Sequence, residues 1–458
     1  MAGQPFLDLN REHVLFPWVA QSTHKPLAID RAEGVYLWDS EGRRYIDGVS
    51  SLWCNVHGHR HPHIDAAVRN QLDKIAHSTL LGLISPPSVE LAKRLVQLAP
   101  AGLEKVFYSD SGATAVEIAV KMAVQYWRIR GQTQRTRFVA LGDAYHGDTV
   151  GAVSVGSIEL FHRIFGALTF EKYCSASPQP YRFDGTTEQC RDACLASMEA
   201  VLAQHADEVA AVIIEPLVQG AAGLIVHPEG FLKGVEELTR RCGVLLIADE
   251  VATGFGRTGT MFACEQEQVV PDLMCLGKGI TGGYLPVAAT LASTEVFDAF
   301  LQEPWRETTF YHGHTYTGNP LGCAAAVACL EVFEREQTLA KLEGKIARLS
   351  EFLAEIAALE YVGDTRHKGM MAGIELVANK ATKTPFATAR RTGARLCQAM
   401  RAKGVLLRPL GDVVVIMPPL SISEEQLEEL LGAVGETLRE ELPPLAVATT
   451  LGTATGGP

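Results

Sequence analysis

Two apolar runs in this chain each end in residues able to do chemistry. Val244-Leu-Leu-Ile-Ala-Asp249-Glu250 ends in a pair of carboxylates, and Asp272-Leu-Met-Cys-Leu-Gly-Lys278-Gly279 delivers a lysine. A lysine amine condenses with an aldehyde, and a nearby acid can hold a ring nitrogen protonated so that the ring accepts electrons. Those are the two needs of pyridoxal phosphate. The 29 residues from Asp249 to Lys278 leave room for a return segment and one more strand. Exposed lysines after strands are also common, so this pair alone leaves a plain surface lysine open.

Four further segments bear on the choice. Tyr108-Ser-Asp-Ser-Gly112-Ala113-Thr114 lies between a strand pattern and a long helix pattern. Small residues opening a helix present free backbone N–H groups and the positive end of the dipole, which suits a phosphate. Ser111 also reads as a simple N-cap. Gly142-Asp-Ala-Tyr145-His-Gly147 follows a strand, where an aromatic can stack on a flat ring or simply sit exposed in a turn. Tyr311-His-Gly313-His314-Thr315-Tyr-Thr-Gly-Asn-Pro320 is a polar loop ahead of the small-residue run 321–328. Leu407-Arg408-Pro409 offers a guanidinium that can grip a carboxylate in bidentate fashion or remain a solvated turn residue. Gly254-Phe-Gly-Arg257-Thr-Gly259 has the spacing of a dinucleotide fingerprint. Pro271 follows too soon, however, for 260–268 to form the crossover helix that motif must open.

The elements that must position these residues are legible as apolar runs. Continuous hydrophobicity at 105–108, 137–141, 210–214, 244–248, 273–276 and 287–291 predicts strands buried on both faces. Helical periods over 114–130 and 189–205 lie between some of them. The alternation predicts an α/β fold with a mostly parallel sheet covered by helices. A hairpin is expected from 35–38 and 44–47, around the turn 39–42. From about 325 two charged amphipathic helices span 325–357 with a break, followed by strands near 370–376 and 413–417. The organisation expected is an N-terminal part of a small domain over 1–73, a large domain over 74–324, the rest of a small α+β domain over 325–442, and a disordered tail over 443–458.

With 458 residues, two domains are the natural expectation, and 47% hydrophobic with 21% charged residues describes a globular chain. A net charge of −12 argues against nucleic acid or an anionic membrane as partner. No apolar run reaches the length of a membrane span, and residues 1–20 lack the core of a signal peptide. A cytoplasmic protein is expected. The 10 cysteines include no C-x-x-C pair, so they read as packing residues of a reduced compartment, with no metal site.

Asp249-Glu-Val-Ala-Thr-Gly-Phe-Gly-Arg257-Thr-Gly and Leu276-Gly-Lys278-Gly-Ile-Thr-Gly-Gly283 together resemble the signature of the class III pyridoxal phosphate aminotransferases. Asp110–Ala123, Tyr145–Val155, Ile214–Gly220 and Arg408–Asp412 resemble most its biotin-pathway branch, which aminates 8-amino-7-oxononanoate. The likeness extends from about His13 to about Leu431. It implies fold type I, a homodimer with active sites at the subunit interface, and pyridoxal 5'-phosphate as cofactor. It implies Lys278 as the Schiff-base lysine, Asp249 on the pyridine nitrogen, Gly112 and Ala113 on the phosphate, and Tyr145 over the ring. His314 and Thr315 would reach the neighbouring subunit's phosphate. Gly313, Trp18, Leu52 and Trp53 would lie near substrate, and Arg408 on the substrate carboxylate. For Glu215 and Arg257 two roles stay open, contact with substrate or simply ordering the site. Two positions depart from the branch that uses S-adenosylmethionine as donor: Trp18 replaces a tyrosine and Leu52 a tryptophan. L-lysine is therefore an alternative donor. Rival readings are a class III transaminase acting on ornithine, 4-aminobutyrate or another diamine or ω-amine, and a same-fold aminomutase.

Overall fold

The computed structural model describes residues 12–22 and 26–447. Its centre is a seven-stranded sheet in the order Leu103–Ser109, Ala288–Ser293, Leu273–Leu276, Leu245–Asp249, Val209–Ile214, Arg137–Leu141, Tyr173–Ser175. All the runs singled out for continuous hydrophobicity lie in it. The pairs from Leu273–Leu276 across to Tyr173–Ser175 are parallel. Ala288–Ser293 runs antiparallel to both of its neighbours. The reason is length. Residues 277–287 hold only the 3-10 turn Lys278–Thr281, and a parallel return needs a crossover of roughly a dozen residues or more.

Side chains alternate between two cores, as a pleated strand requires. Phe138, Ala140, Ala211, Ile213, Leu245 and Ile247 pack on the face covered by the helix Gly112–Ile129. Val139, Leu141, Val212, Ile214, Leu246 and Ala248 pack on the other, toward Thr187–His205 and Phe231–Cys242. Because every strand but Ala288–Ser293 points the same way, their carboxyl ends share one edge of the sheet. Ser109, Leu141, Ile214, Asp249 and Leu276 all lead out onto it.

Smaller sheets flank this layer. Ile29–Glu33, Tyr36–Asp39 and Arg44–Asp47 form an antiparallel ribbon whose last strand pairs in parallel with Val405–Leu406, so the first and last parts of the chain meet. Val362–Lys368, Met371–Asn379, Val413–Ile416 and Arg408–Leu410 form a second antiparallel sheet, with Thr384–Pro385 on its side. The interrupted helical stretch resolves into Pro320–Arg335, capped by Asn319, and Leu342–Ile356. A short hairpin, Val218–Gln219 with Ile225–Val226, was not apparent from the sequence.

The last helix, Glu424–Val447, departs from expectation at its end. Residues 443–447, assigned by composition to a disordered tail, continue the helix through Pro443 and Pro444. Leu442 is buried, Leu445 and Ala446 pack on the core, and Arg390 Nη1 donates to the Ala446 carbonyl at 2.8 Å. Those contacts offset the missing N–H groups. The rest of the expected tail, 448–458, lies outside the described residues.

The site rests on the central strands, and their packing is measurable. Ile247 is fully buried two residues before Asp249. Ile247→Ala is expected to cost about 2–5 kcal/mol, read as a lower denaturation midpoint at unchanged m-value.

Candidate active site

At the shared strand edge a cavity of ≈ 380 Å³ is lined by Gly112, Ala113, Tyr145, Asp249, Lys278 and Trp53, among others. Asp249 and Lys278 arrive there through strand pairing. Asp249 stands opposite Cys275, Glu250 N–H donates to the Cys275 carbonyl at 2.9 Å, and Lys278 follows three residues later. Lys278 has a left-handed backbone (φ 43°), and Nζ lies 4.8 Å from the centre of the Trp53 ring. Burial pulls its pKa below the ordinary lysine value, opposed by the negative charges of Asp249 and Glu215. The neutral amine that carbonyl chemistry needs is thereby favoured.

Only the first of the paired carboxylates faces the cavity. Asp249 Oδ2 lies 2.7 Å from His146 Nδ1, and Oδ1 accepts from Val251 N–H at 3.1 Å. Glu250 turns inward, accepting from Thr253 Oγ1 at 2.5 Å and Cys264 N–H at 2.8 Å. Burial pushes Glu250 up to about 7.

Glu215 also lines the cavity. Its two oxygens accept from Tyr145 N–H (3.1 Å) and Gly220 N–H (2.8 Å), tying two loops together beneath the site. Burial raises it to about 7. Tyr145 Oη donates to Asp148 Oδ2 at 3.0 Å, and burial raises its pKa.

The opening of the helix Gly112–Ile129 is built for close approach. Ser111 caps it by accepting from Thr114 N–H at 3.3 Å, which leaves Gly112 and Ala113 in the first turn, where N–H groups have no intrahelical acceptor. A Cβ on Gly112 would lie 2.4 Å from a Val251 methyl, and one on Gly147 (φ 123°) would lie 2.4 Å from Ala113 Cβ. The wall at Trp53 is held under strain. Ser50, Ser51 and Trp53 all have positive φ, and Asp47 fixes the loop by accepting from Ser51 N–H at 2.8 and 2.9 Å.

The structure thus brings Lys278, Asp249, Tyr145, Gly112, Ala113 and Trp53 to one cavity. Trp18 joins its rim, its ring edge-on to Tyr145 (6.1 Å) and to Phe161 (4.6 Å). Leu52 is exposed and does not line the cavity. Gly313, His314 and Thr315 lie on a separate loop, and Arg408 is exposed on a strand of the small sheet; none of them lines this cavity. Arg257 is fully buried away from it, donating to the carbonyls of Pro418 and Asn55 at 2.5 and 2.6 Å. The glycine-rich segment around Arg257 therefore anchors loops and opens no crossover helix; only the 3-10 turn Ala263–Glu267 follows it. His146 was missed in the sequence, although it adjoins Tyr145. Its partner lies 103 residues away, and only the sheet order joins them.

These groups fit pyridoxal phosphate: an amine for the aldehyde, a fixed carboxylate for the ring nitrogen, and a glycine-opened helix start for the phosphate. The sequence matches the aminotransferase class-III family over residues 18–438. The chain belongs to the class III aminotransferases. This aminotransferase is 55% identical over 433 residues (93% of the chain, 80% of the relative) to the adenosylmethionine-8-amino-7-oxononanoate aminotransferase of Nitratidesulfovibrio vulgaris. Its fold matches the crystal structure of the Methanocaldococcus jannaschii protein of that same name with a TM-score of 0.91 at 45% identity, covering 96% of this chain and 99% of the other. An amine transaminase from an uncultivated Pseudomonas species, solved in its PLP-bound form, aligns with a TM-score of 0.89 at 36% identity, covering 93% and 98%.

The raised carboxyls give a signed pH dependence. Below about 4.5 both folded and unfolded states hold the proton on Glu250, and above about 7 both have lost it. Between these values the unfolded chain releases first, so stability falls as pH rises. Glu250→Gln is expected to flatten that decline in denaturation midpoints measured from pH 4.5 to 7; an unchanged slope would contradict the assignment.

Proposed function

We propose that this aminotransferase uses pyridoxal phosphate to move an amino group onto the ketone of 8-amino-7-oxononanoate, giving 7,8-diaminononanoate for biotin synthesis. The observation that carries this reading is identity of 55% and 45% to two proteins of that name, over more than nine tenths of the chain. The cofactor, when bound, supplies an aldehyde that condenses with amines and a ring that takes up the electrons released at the substrate carbon.

The chain's own residues would do the rest. Asp249, oriented by His146 and Val251 N–H, holds a proton on the ring nitrogen. Gly112 and Ala113 would offer N–H groups to the phosphate, and Tyr145 would hold the ring. Lys278 Nζ, its pKa lowered by burial, would remove the proton from the donor carbon and later return one to the acceptor carbon. Arg408 pairs with Val415 through its backbone in the small sheet, while its side chain makes no hydrogen bond or ion pair among the described residues, which leaves the guanidinium available to the carboxylate of the keto substrate.

A homodimer fits the exposed loop carrying Gly313, His314 and Thr315, which would reach the partner's phosphate. It also fits the exposure of Leu81, Ile84, Tyr311 and Tyr316. Among the described residues no helix is long and apolar enough to cross a membrane, and all ten cysteines are free, as in a reducing cytoplasm.

S-adenosylmethionine is the donor favoured by the relatives' name. Trp18, edge-on to Phe161 at the rim, would offer an aromatic face to its sulfonium. The exposed Leu52 offers none, and lysine is the alternative. A second reading, an ω-amine transaminase, draws on the fold likeness to the Pseudomonas enzyme, but the lower identity of 36% ranks it behind.

Two measurements test the proposal. Product formation from 8-amino-7-oxononanoate is expected only with an added donor, at higher kcat/KM for S-adenosylmethionine than for L-lysine. The reverse order would assign lysine, and turnover without any donor would mean an aminomutase. Lys278→Ala is expected to lower the rate by at least about 100-fold, and normal turnover would remove Lys278 from the chemistry.

A further inference from the structure

Glu215 follows the strand Val209–Ile214, is 5% exposed and lines the catalytic cavity. A carboxylate in that place can touch substrate or order the walls around it. Its two oxygens are divided between two segments of backbone. Oε1 accepts from Tyr145 N–H at 3.1 Å, and Oε2 from Gly220 N–H at 2.8 Å. Both segments line the cavity, one through 145–149 and the other through Ala221.

What each bond holds can be followed along the chain. On one side Tyr145 is fixed at its backbone by Glu215 and at its hydroxyl by Asp148, 3.0 Å away. On the other side Gly220 lies close against Trp53, where an added Cβ would come within 3.1 Å of Cζ3. That ring in turn lies 4.8 Å from Lys278 Nζ. A second link runs beside the first. Gln219, fully buried, donates from Nε2 to the Gly142 carbonyl at 2.7 Å and accepts at Oε1 from Ser177 Oγ at 2.8 Å. The hairpin 218–226 and the segment 142–149 are therefore joined twice, and Glu215 makes the charged link.

The pattern of donors calls for a carboxylate. Two N–H groups face two oxygens, and an ionised carboxyl accepts at both. A glutamine of the same shape accepts at one oxygen and turns its NH2 toward the other N–H. Burial disfavours the ionised form of Glu215; His146 and the two N–H bonds favour it, and Asp249 opposes it.

We propose that Glu215 is a positioning residue: it sets two aromatic walls, Tyr145 and Trp53, around Lys278 and does not contact substrate. This rests on Lys278 carrying the cofactor and Tyr145 holding its ring, as proposed above. Lys278→Ala, which should remove the visible band of the bound cofactor, separates a failure of that reading from a failure of the link at Glu215.

The test compares Glu215→Gln holoenzyme with the parent, first with no substrate present. The circular dichroism of the bound cofactor is expected to lose intensity in its visible band. Backbone amides in 142–149 and 217–224 are expected to exchange hydrogen at least about tenfold faster. The donor and acceptor half-reactions are expected to slow by a common factor of about ten, because the same walls serve both. Gly220→Ala keeps Glu215 but presses a methyl on Trp53. It is expected to reproduce the loss of circular dichroism with exchange in 142–149 as in the parent, and it decides the matter should Glu215→Gln not fold. A raised KM for one substrate alone, with the cofactor signal unmoved in Glu215→Gln, would make Glu215 a substrate contact and overturn the proposal. So would a cofactor signal unmoved in Gly220→Ala.

Discussion

The parallel pairing of Leu245–Asp249 with Leu273–Leu276 is the constraint on which the site depends. With Asp249 opposite Cys275, the carboxylate and the lysine three residues further on emerge at the same edge of the sheet. A slip of one residue would exchange Asp249 with Glu250, turning the inward carboxylate to the cavity and the working one into the core. Full burial of both strands on both faces fixes that register, because every residue has a committed side. The large apolar sheet is thus what makes a two-residue constellation reproducible.

Around that register the chain accepts unfavourable features where the cavity needs them. Asp249 and Glu215 are buried carboxylates, each held by hydrogen bonds that offset part of the desolvation. Ser50, Ser51, Trp53 and Lys278 occupy left-handed backbone conformations that non-glycine residues seldom adopt. Asp47 binds the strained loop from one side, and His59 Nε2 approaches the same carboxylate at 2.9 Å. Arg257 ties Asn55, next to this loop, to Pro418 far along the chain. The site is rigid because loops from distant parts of the sequence are fastened to each other beneath it.

Much of this was legible in the sequence, and the remainder fails for identifiable reasons. Continuous hydrophobicity found six of the seven strands in the main sheet, since burial on both faces leaves no other pattern; the edge strand Tyr173–Ser175, three residues long and partly exposed, carries none. Lys278 and Asp249 stood out because each ends such a run. The reversed direction of Ala288–Ser293 follows from a loop length that was visible but not used. His146 and Glu215 could not be placed because their partners lie across the sheet, and strand order is not written in local pattern. The strands 218–219 and 225–226 are too short to carry a period. The helix through Pro443 and Pro444 defied local propensity because tertiary contacts at Leu442, Leu445 and Arg390 outweigh two missing donors. The loop 313–315 and Arg408 do not line the cavity of one chain, and no local pattern in the sequence said where they would lie.

The measurement that tests the central claim most directly is a half-reaction. Holoenzyme, with no acceptor present, would be mixed with S-adenosylmethionine or with L-lysine while the absorbance of the bound cofactor is followed. The account predicts that one donor bleaches the visible band and that 8-amino-7-oxononanoate then restores it. A spectrum unmoved by either donor, with the cofactor bound at Lys278, would contradict it.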